Sequence, residues 1–63
     1  MIKIISILTW TASHLAVALV YADAEANLNG EVNGTVLDSG SIAYLGDGSV
    51  YVYNGSTWTK VGA

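Results

Sequence analysis

Ser13 and His14 stand side by side, and they are the pair in this chain that most invites a catalytic reading. His14 is the one histidine, and imidazole is the side chain whose unperturbed pKa lies closest to neutrality. A serine nucleophile, however, needs its base within reach in space and a third group to orient that base, and adjacency in sequence supplies neither. The pair therefore reads as a histidine at the start of a helix, satisfied by hydrogen bonds. Asp47, between Gly46 and Gly48, has the look of a calcium loop but lacks the spaced oxygen ligands and terminal glutamate that such a loop requires. It reads as a turn residue. Asn33-Gly34-Thr35 and Asn54-Gly55-Ser56 match the glycosylation acceptor pattern, although turn chemistry accounts for both. No glycine is followed by Lys-Ser or Lys-Thr, so a phosphate-cradling loop is missing as well. With no cysteine and a single histidine, neither a disulfide nor a metal is expected. On these grounds the chain is expected not to be an enzyme, and no cofactor is expected.

One further set of side chains could do chemistry by contact. Tyr44, Tyr51, Tyr53 and Trp58 would suit a sugar-stacking or protein-contact surface, and aromatic residues are enriched at interface cores. They are also the natural core of a small sheet, each tyrosine keeping a polar tip for a hydrogen bond. Packing, with contacts between subunits included, is the preferred reading.

The elements that must position these residues are short of material. A chain of 63 residues makes one domain at most and buries a small share of its surface. Small scaffolds commonly rely on disulfides, metals or association, and association is the route left open here. Composition agrees: 52% of residues are hydrophobic and 11% charged, against roughly 25% charged in an ordinary soluble domain. Lys3 and Lys60 face Asp23, Glu25, Glu31, Asp38 and Asp47, for a net charge of −3 with no arginine. Such a chain offers no basic patch for phosphates, and nucleic-acid binding is not expected.

From Ile4 to Ala22 no residue carries a formal charge. A secretory signal has a basic start, an apolar run of about 7–15 residues and a small-x-small cleavage site, which Ala22-Asp23-Ala24 would supply. A membrane span needs about 20 mainly apolar residues, and Ser6, Thr9, Thr11, Ser13 and His14 are costly inside one. The third reading is a protein-buried segment, an extended arm rich in isoleucine followed by a helix, and it is the one favoured here. Thr11 or Ser13 would cap that helix, which the alanine content places over Leu15 to Asn29, with Gly30 as its C-terminal cap. Leu15, Leu19, Ala22 and Ala26 would share one face, and Ala18, Ala22 and Ala26 would form a shallow groove for a neighbouring helix.

Beyond the helix, Asn29-Gly30 and Asn33-Gly34 mark turns, with Thr35 to Leu37 as a short strand. A three-stranded antiparallel meander follows: Ile42 to Leu45, a Gly46-Asp47-Gly48 turn, Ser49 to Tyr53, an Asn54-Gly55 turn with positive φ at both residues, and Ser56 to Val61. In the middle strand Val50 and Val52 point one way and Tyr51 and Tyr53 the other, so neither face reads as plain solvent surface. The fold class expected is thus α+β, an apolar arm and helix over residues 1–30 and a β-meander over residues 31–63, in a single small structural unit.

Gly40-Ser41-Ile42-Ala43-Tyr44, Asp47-Gly48 and Tyr51-Val52-Tyr53-Asn54-Gly55-Ser56-Thr57-Trp58 together resemble a short aromatic β module of tailed-bacteriophage virion proteins, found in tail fibres and other surface components. It covers the last third or so of the chain. The resemblance implies a structural virion protein, a small decoration, cement or tail-associated component located in the virion and acting through contacts with other virion subunits and with its own copies. Contact residues would be Leu15, Ala18, Leu19, Ala22 and Ala26 on the helix and Tyr44, Tyr51, Tyr53 and Trp58 in the meander. The alternative is an exported or membrane-anchored small envelope protein with residues 1–24 as signal or anchor, and only that reading involves a membrane.

Overall fold

The alternation in Leu15-Ala-Val-Ala-Leu-Val-Tyr-Ala22 decides the architecture: large side chains occupy the odd positions and, apart from Val20, alanine the even ones. In the computed structural model, which describes residues 1–62, this segment is a β-strand and every even residue on it is fully buried. The strands are β1 (Ile2–Ala12), β2 (Leu15–Ala22), β3 (Glu31–Val32), β4 (Thr35–Leu37), β5 (Ile42–Leu45), β6 (Val50–Tyr53) and β7 (Trp58–Gly62), with a single 3-10 turn at Glu25–Asn27. All seven strands belong to one mixed sheet.

The expected α+β class is therefore wrong. Neither the helix over Leu15 to Asn29 nor the free-standing arm before it exists; the two form the antiparallel hairpin β1–β2. Thr11 and Ser13 cap no helix, and Gly30 ends none. Alanines four apart satisfy a helical and a two-residue period equally, and helix propensity is a weak preference that tertiary packing overrides. Among the described residues no helix is long and apolar enough to cross a membrane.

β2 is the spine. One of its edges pairs with β1, while the other takes two parallel partners in succession: β4 beside Leu15 and Ala16, then β5 beside Leu19 to Ala22. Between these partners the chain turns through Asp38 to Ser41, closed by the Ser41 N–H donating to the Asp38 carbonyl at 3.2 Å. Gly40 takes φ +96° there, a left-handed conformation that glycine alone adopts freely. The turn leaves the Ala18 N–H facing a gap in the ladder, and the fully buried Ser41 side chain fills it. Its Oγ accepts from that N–H at 3.1 Å, and its hydroxyl donates to the Asp38 carbonyl at 2.8 Å.

β5, β6 and β7 run close to the stretches expected of a meander, but they form one flank of the larger sheet. Their turns differ in kind. Gly46-Asp47-Gly48 is a three-residue loop with Gly48 at φ +91°, and the Leu45 N–H donates to the Ser49 carbonyl across it. The loop after β6 is longer than the Asn-Gly pair expected. Asn54 keeps a negative φ while its Oδ1 accepts from the N–H groups of Ser56 and Thr57, so β7 starts only at Trp58. The two-residue turn with positive φ at both positions occurs at Asn33 (51°) and Gly34 (88°), between β3 and β4.

The buried face of the sheet carries Ala18, Val20, Ala22, Ala43, Leu45, Tyr51 and Tyr53, joined by Val32 and Leu37, with Leu28 and Trp58 packed against them. β1 contributes Ile2, Ile4 and Ile7. Its 11 residues span the 8 of β2 because Ile5, Leu8 and Thr11 are extra residues with no partner, three bulges spaced three apart. The bulge at Thr11 adjoins the Ser13-His14 turn, in which neither residue has positive φ, and supplies twist that such a turn does not.

Replacing Ser41 by alanine strips the Ala18 N–H of its buried acceptor, and a loss of about 1–3 kcal/mol in chemical denaturation is expected. At Gly30 an added Cβ would sit 2.6 Å from the hydroxyl oxygen of buried Tyr53. Gly30→Ala is therefore expected to cost about 1–3 kcal/mol in the same measurement, as overpacking does.

Candidate functional site

Residues paired across a ladder share a face, so the register identifies which side chains lie together. On the side away from the core, β2 presents Leu15, Val17, Leu19 and Tyr21. Ile42 and Tyr44 of β5 lie beside Leu19 and Tyr21, and Val52 and Val50 of β6 beside Ile42 and Tyr44 in turn. These eight side chains carry no charge, and all are half-buried or, for Tyr44, exposed. Val36 extends the face beside Leu15 and is exposed. Lys3 borders it, its Nζ 5.9 Å from the centre of the Tyr21 ring. The apolar area is thus continuous over three central strands, a feature that in soluble proteins marks a contact surface.

A second exposed apolar set runs along β1. Among the described residues this strand hydrogen-bonds to β2 alone, so the backbone groups of its other edge have no ladder partner, although β3 packs near β1. Ile5, Leu8 and Trp10 on it are 54%, 55% and 54% exposed.

The residues singled out from the sequence divide between the two sides. Leu15, Leu19 and Tyr44 are on the outer face, and Ala26 is exposed in the 3-10 turn. Ala18 and Ala22 are wholly buried, as, nearly so, are Tyr51 and Tyr53. Trp58 stacks at 4.7 Å from Tyr53 across the β6–β7 pair, and its indole N–H donates to the Asn29 carbonyl at 3.0 Å. As contact residues, sequence reasoning missed Val17, Tyr21, Val36, Ile42, Val50 and Val52 of the outer face, along with Ile5, Leu8 and Trp10 of β1. The signal for Val17 and Tyr21 was the large-small alternation of β2.

The polar candidates lie in or beside turns. Ser13 and His14 are both exposed at the tip of the β1–β2 hairpin. Asp47 accepts from the Ser49 N–H at 2.9 Å, and that bond holds its carboxyl below the usual carboxylate range. Burial pushes the Tyr51 phenol up, helped by the Glu25 carboxylate beside it. Asp38 binds the Thr11 hydroxyl through Oδ2 and the Ser39 N–H through Oδ1, both at 2.8 Å, tying the turn between β4 and β5 to the end of β1. Among the described residues there is no enclosed pocket, and no three His, Cys, Asp or Glu side chains gather as a metal site would require. What the outer face offers is uncharged apolar area. No family model, curated protein or solved structure matches this chain.

Because the folded Asp47 carboxyl lies below its unfolded value of 3.8, its contribution to stability is present above that pH and is lost as the pH falls through the folded value. Asp47→Asn keeps the acceptor oxygen and removes the titration. Urea midpoints measured on both proteins from about pH 5 down to pH 3 are expected to fall less for the variant.

Proposed function

We propose that this chain is a non-catalytic structural component of a bacteriophage virion, a small accessory protein of the decoration, cement or tail-associated kind. It works by applying the outer face of its sheet to larger virion subunits and by associating with its own copies. The observation that carries this reading is the outer face itself. Three central strands there show only Leu, Val, Ile and Tyr to the surroundings, in a chain with few charges to spare. A surface of that composition gains by being covered, at about 25 cal/mol per Å² of apolar area removed from water. The resemblance of residues 40–58 to an aromatic β module of tailed-phage virion proteins supplies the kind of partner.

The same reading assigns roles by side. Tyr51 and Tyr53 hold the fold together from within, while Leu19, Tyr44 and Val52 make the contact. Mass spectrometry of purified particles is expected to find the native chain at a fixed copy number. Val52→Lys places a charge in the middle of the contact at a half-exposed position, and the variant is expected to keep its circular dichroism spectrum yet be lost from the particles. Particles that assemble complete while the native chain stays in the soluble fraction would overturn the proposal.

A further inference from the structure

The free edge of β1 has a pattern that narrows what can pair with it. An edge strand exposes a row of unpaired N–H and C=O groups, and another strand is the partner that satisfies them. Of the edge strands at the two ends of the sheet, β3 has 2 residues, and β7 has 5 and carries Lys60, a common protection against such pairing. β1 has 11 residues and a single charge, Lys3, near its start. Its bulges at Ile5, Leu8 and Thr11 would throw a regular strand out of register at every third residue. A strand bulged at the same spacing keeps register, and β1 itself is such a strand.

The bulges are also symmetric about Leu8. We propose that two copies of this chain pair through β1, antiparallel, about a two-fold axis at Leu8. Leu8 then meets Leu8, Ile5 of each copy meets Thr11 of the other, and the two sheets become one. An isologous contact of this kind closes on itself and stops at two copies. The exposed Ile5, Leu8 and Trp10 side chains lie within the contact, where they lose water.

Charge favours this edge over the rest of the surface. Two chains of net charge −3 repel in most orientations, yet the acidic residues all lie outside β1. The antiparallel arrangement puts Lys3 of one copy opposite Ser13 of the other, roughly 30 Å from the second Lys3 at the rise of an extended strand. That end of the partner strand is where Thr11 holds the Asp38 carboxylate, so each lysine approaches an acid of opposite sign.

The proposal deepens the structural reading by naming the edge through which copies associate, and it stands or falls separately. Chains that dimerise but never enter particles overturn the virion assignment alone. Chains that enter particles as monomers overturn the pairing alone. The test uses cysteines, of which the native chain has none. Directly opposed residues in an antiparallel pair have Cα atoms about 4.5–5.5 Å apart, inside the range a disulfide spans. Leu8→Cys is expected to form a disulfide-linked dimer at least about tenfold faster than Thr59→Cys on β7, because association raises the local thiol concentration. Ile5→Cys alone is expected to stay unlinked, and to link when mixed with Thr11→Cys. Sedimentation of the native chain reports the same association without any substitution. A native chain that sediments as a monomer at micromolar concentration, equal linking at positions 8 and 59, or self-linking of Ile5→Cys as fast as that of Leu8→Cys would each overturn the pairing.

Discussion

The hydroxyl of Ser41 stands where a backbone carbonyl ought to be. β2 must bond along one edge to two different strands, and the chain needs room to turn between them. At the site of that turn the ladder fails for one residue, Ala18, whose N–H points into a sealed interior. A buried amide without an acceptor costs on the order of 1–3 kcal/mol, a large fraction of what a domain this small has to spend. Ser41 supplies the acceptor and its hydroxyl donates a hydrogen bond to the Asp38 carbonyl, so the polar atoms of the turn are satisfied in series. The placement of β5, and through it of β6 and β7, depends on that substitution.

The second constraint is volume. The buried side of β2 is lined by Ala16, Ala18, Val20 and Ala22, and β5 adds Ala43. Small side chains let the strands and the crossing segments come close, and the space left is closed by a few large groups. Tyr53 reaches Gly30, where no Cβ would fit, and Trp58 stacks on Tyr53 while its indole N–H holds Asn29. Large residues that would fill the core of a bigger protein are here turned outward instead. The apolar exterior follows from the cramped interior.

How much of this was legible in the sequence depends on which residues are asked. Ile42 to Leu45 and Val50 to Tyr53 were readable from alternation between glycine-bearing turns, because both signals are local. The split of Val50 and Val52 from Tyr51 and Tyr53 was readable for the same reason. The segment from Leu15 to Ala22 was not. Its alanines fit two periods, and the choice between them is made by pairing with Val36, Leu37 and Ile42 to Leu45, residues about twenty positions away. The bulges of β1 were equally hidden: the isoleucines do not alternate, and only the shorter strand beside them shows why. Of the outer apolar face, Leu15, Leu19 and Tyr44 were visible as apolar residues, whereas the face they share appears only with the register.

The order of the strands also bears on how the chain is made. The hairpin of β1 and β2 closes over a two-residue turn and needs nothing further along, but the second edge of β2 waits for Ile42 to Leu45. At a synthesis rate of about 5–20 residues per second, that delay is on the order of seconds. Parallel pairing between distant segments is slow to nucleate even once both are present, since loop closure precedes any gain from the contacts. Through that interval the nascent hairpin exposes open amides beside some of the most water-averse residues in the polypeptide. Escape from aggregation at the ribosome thus rests on how promptly the last third arrives.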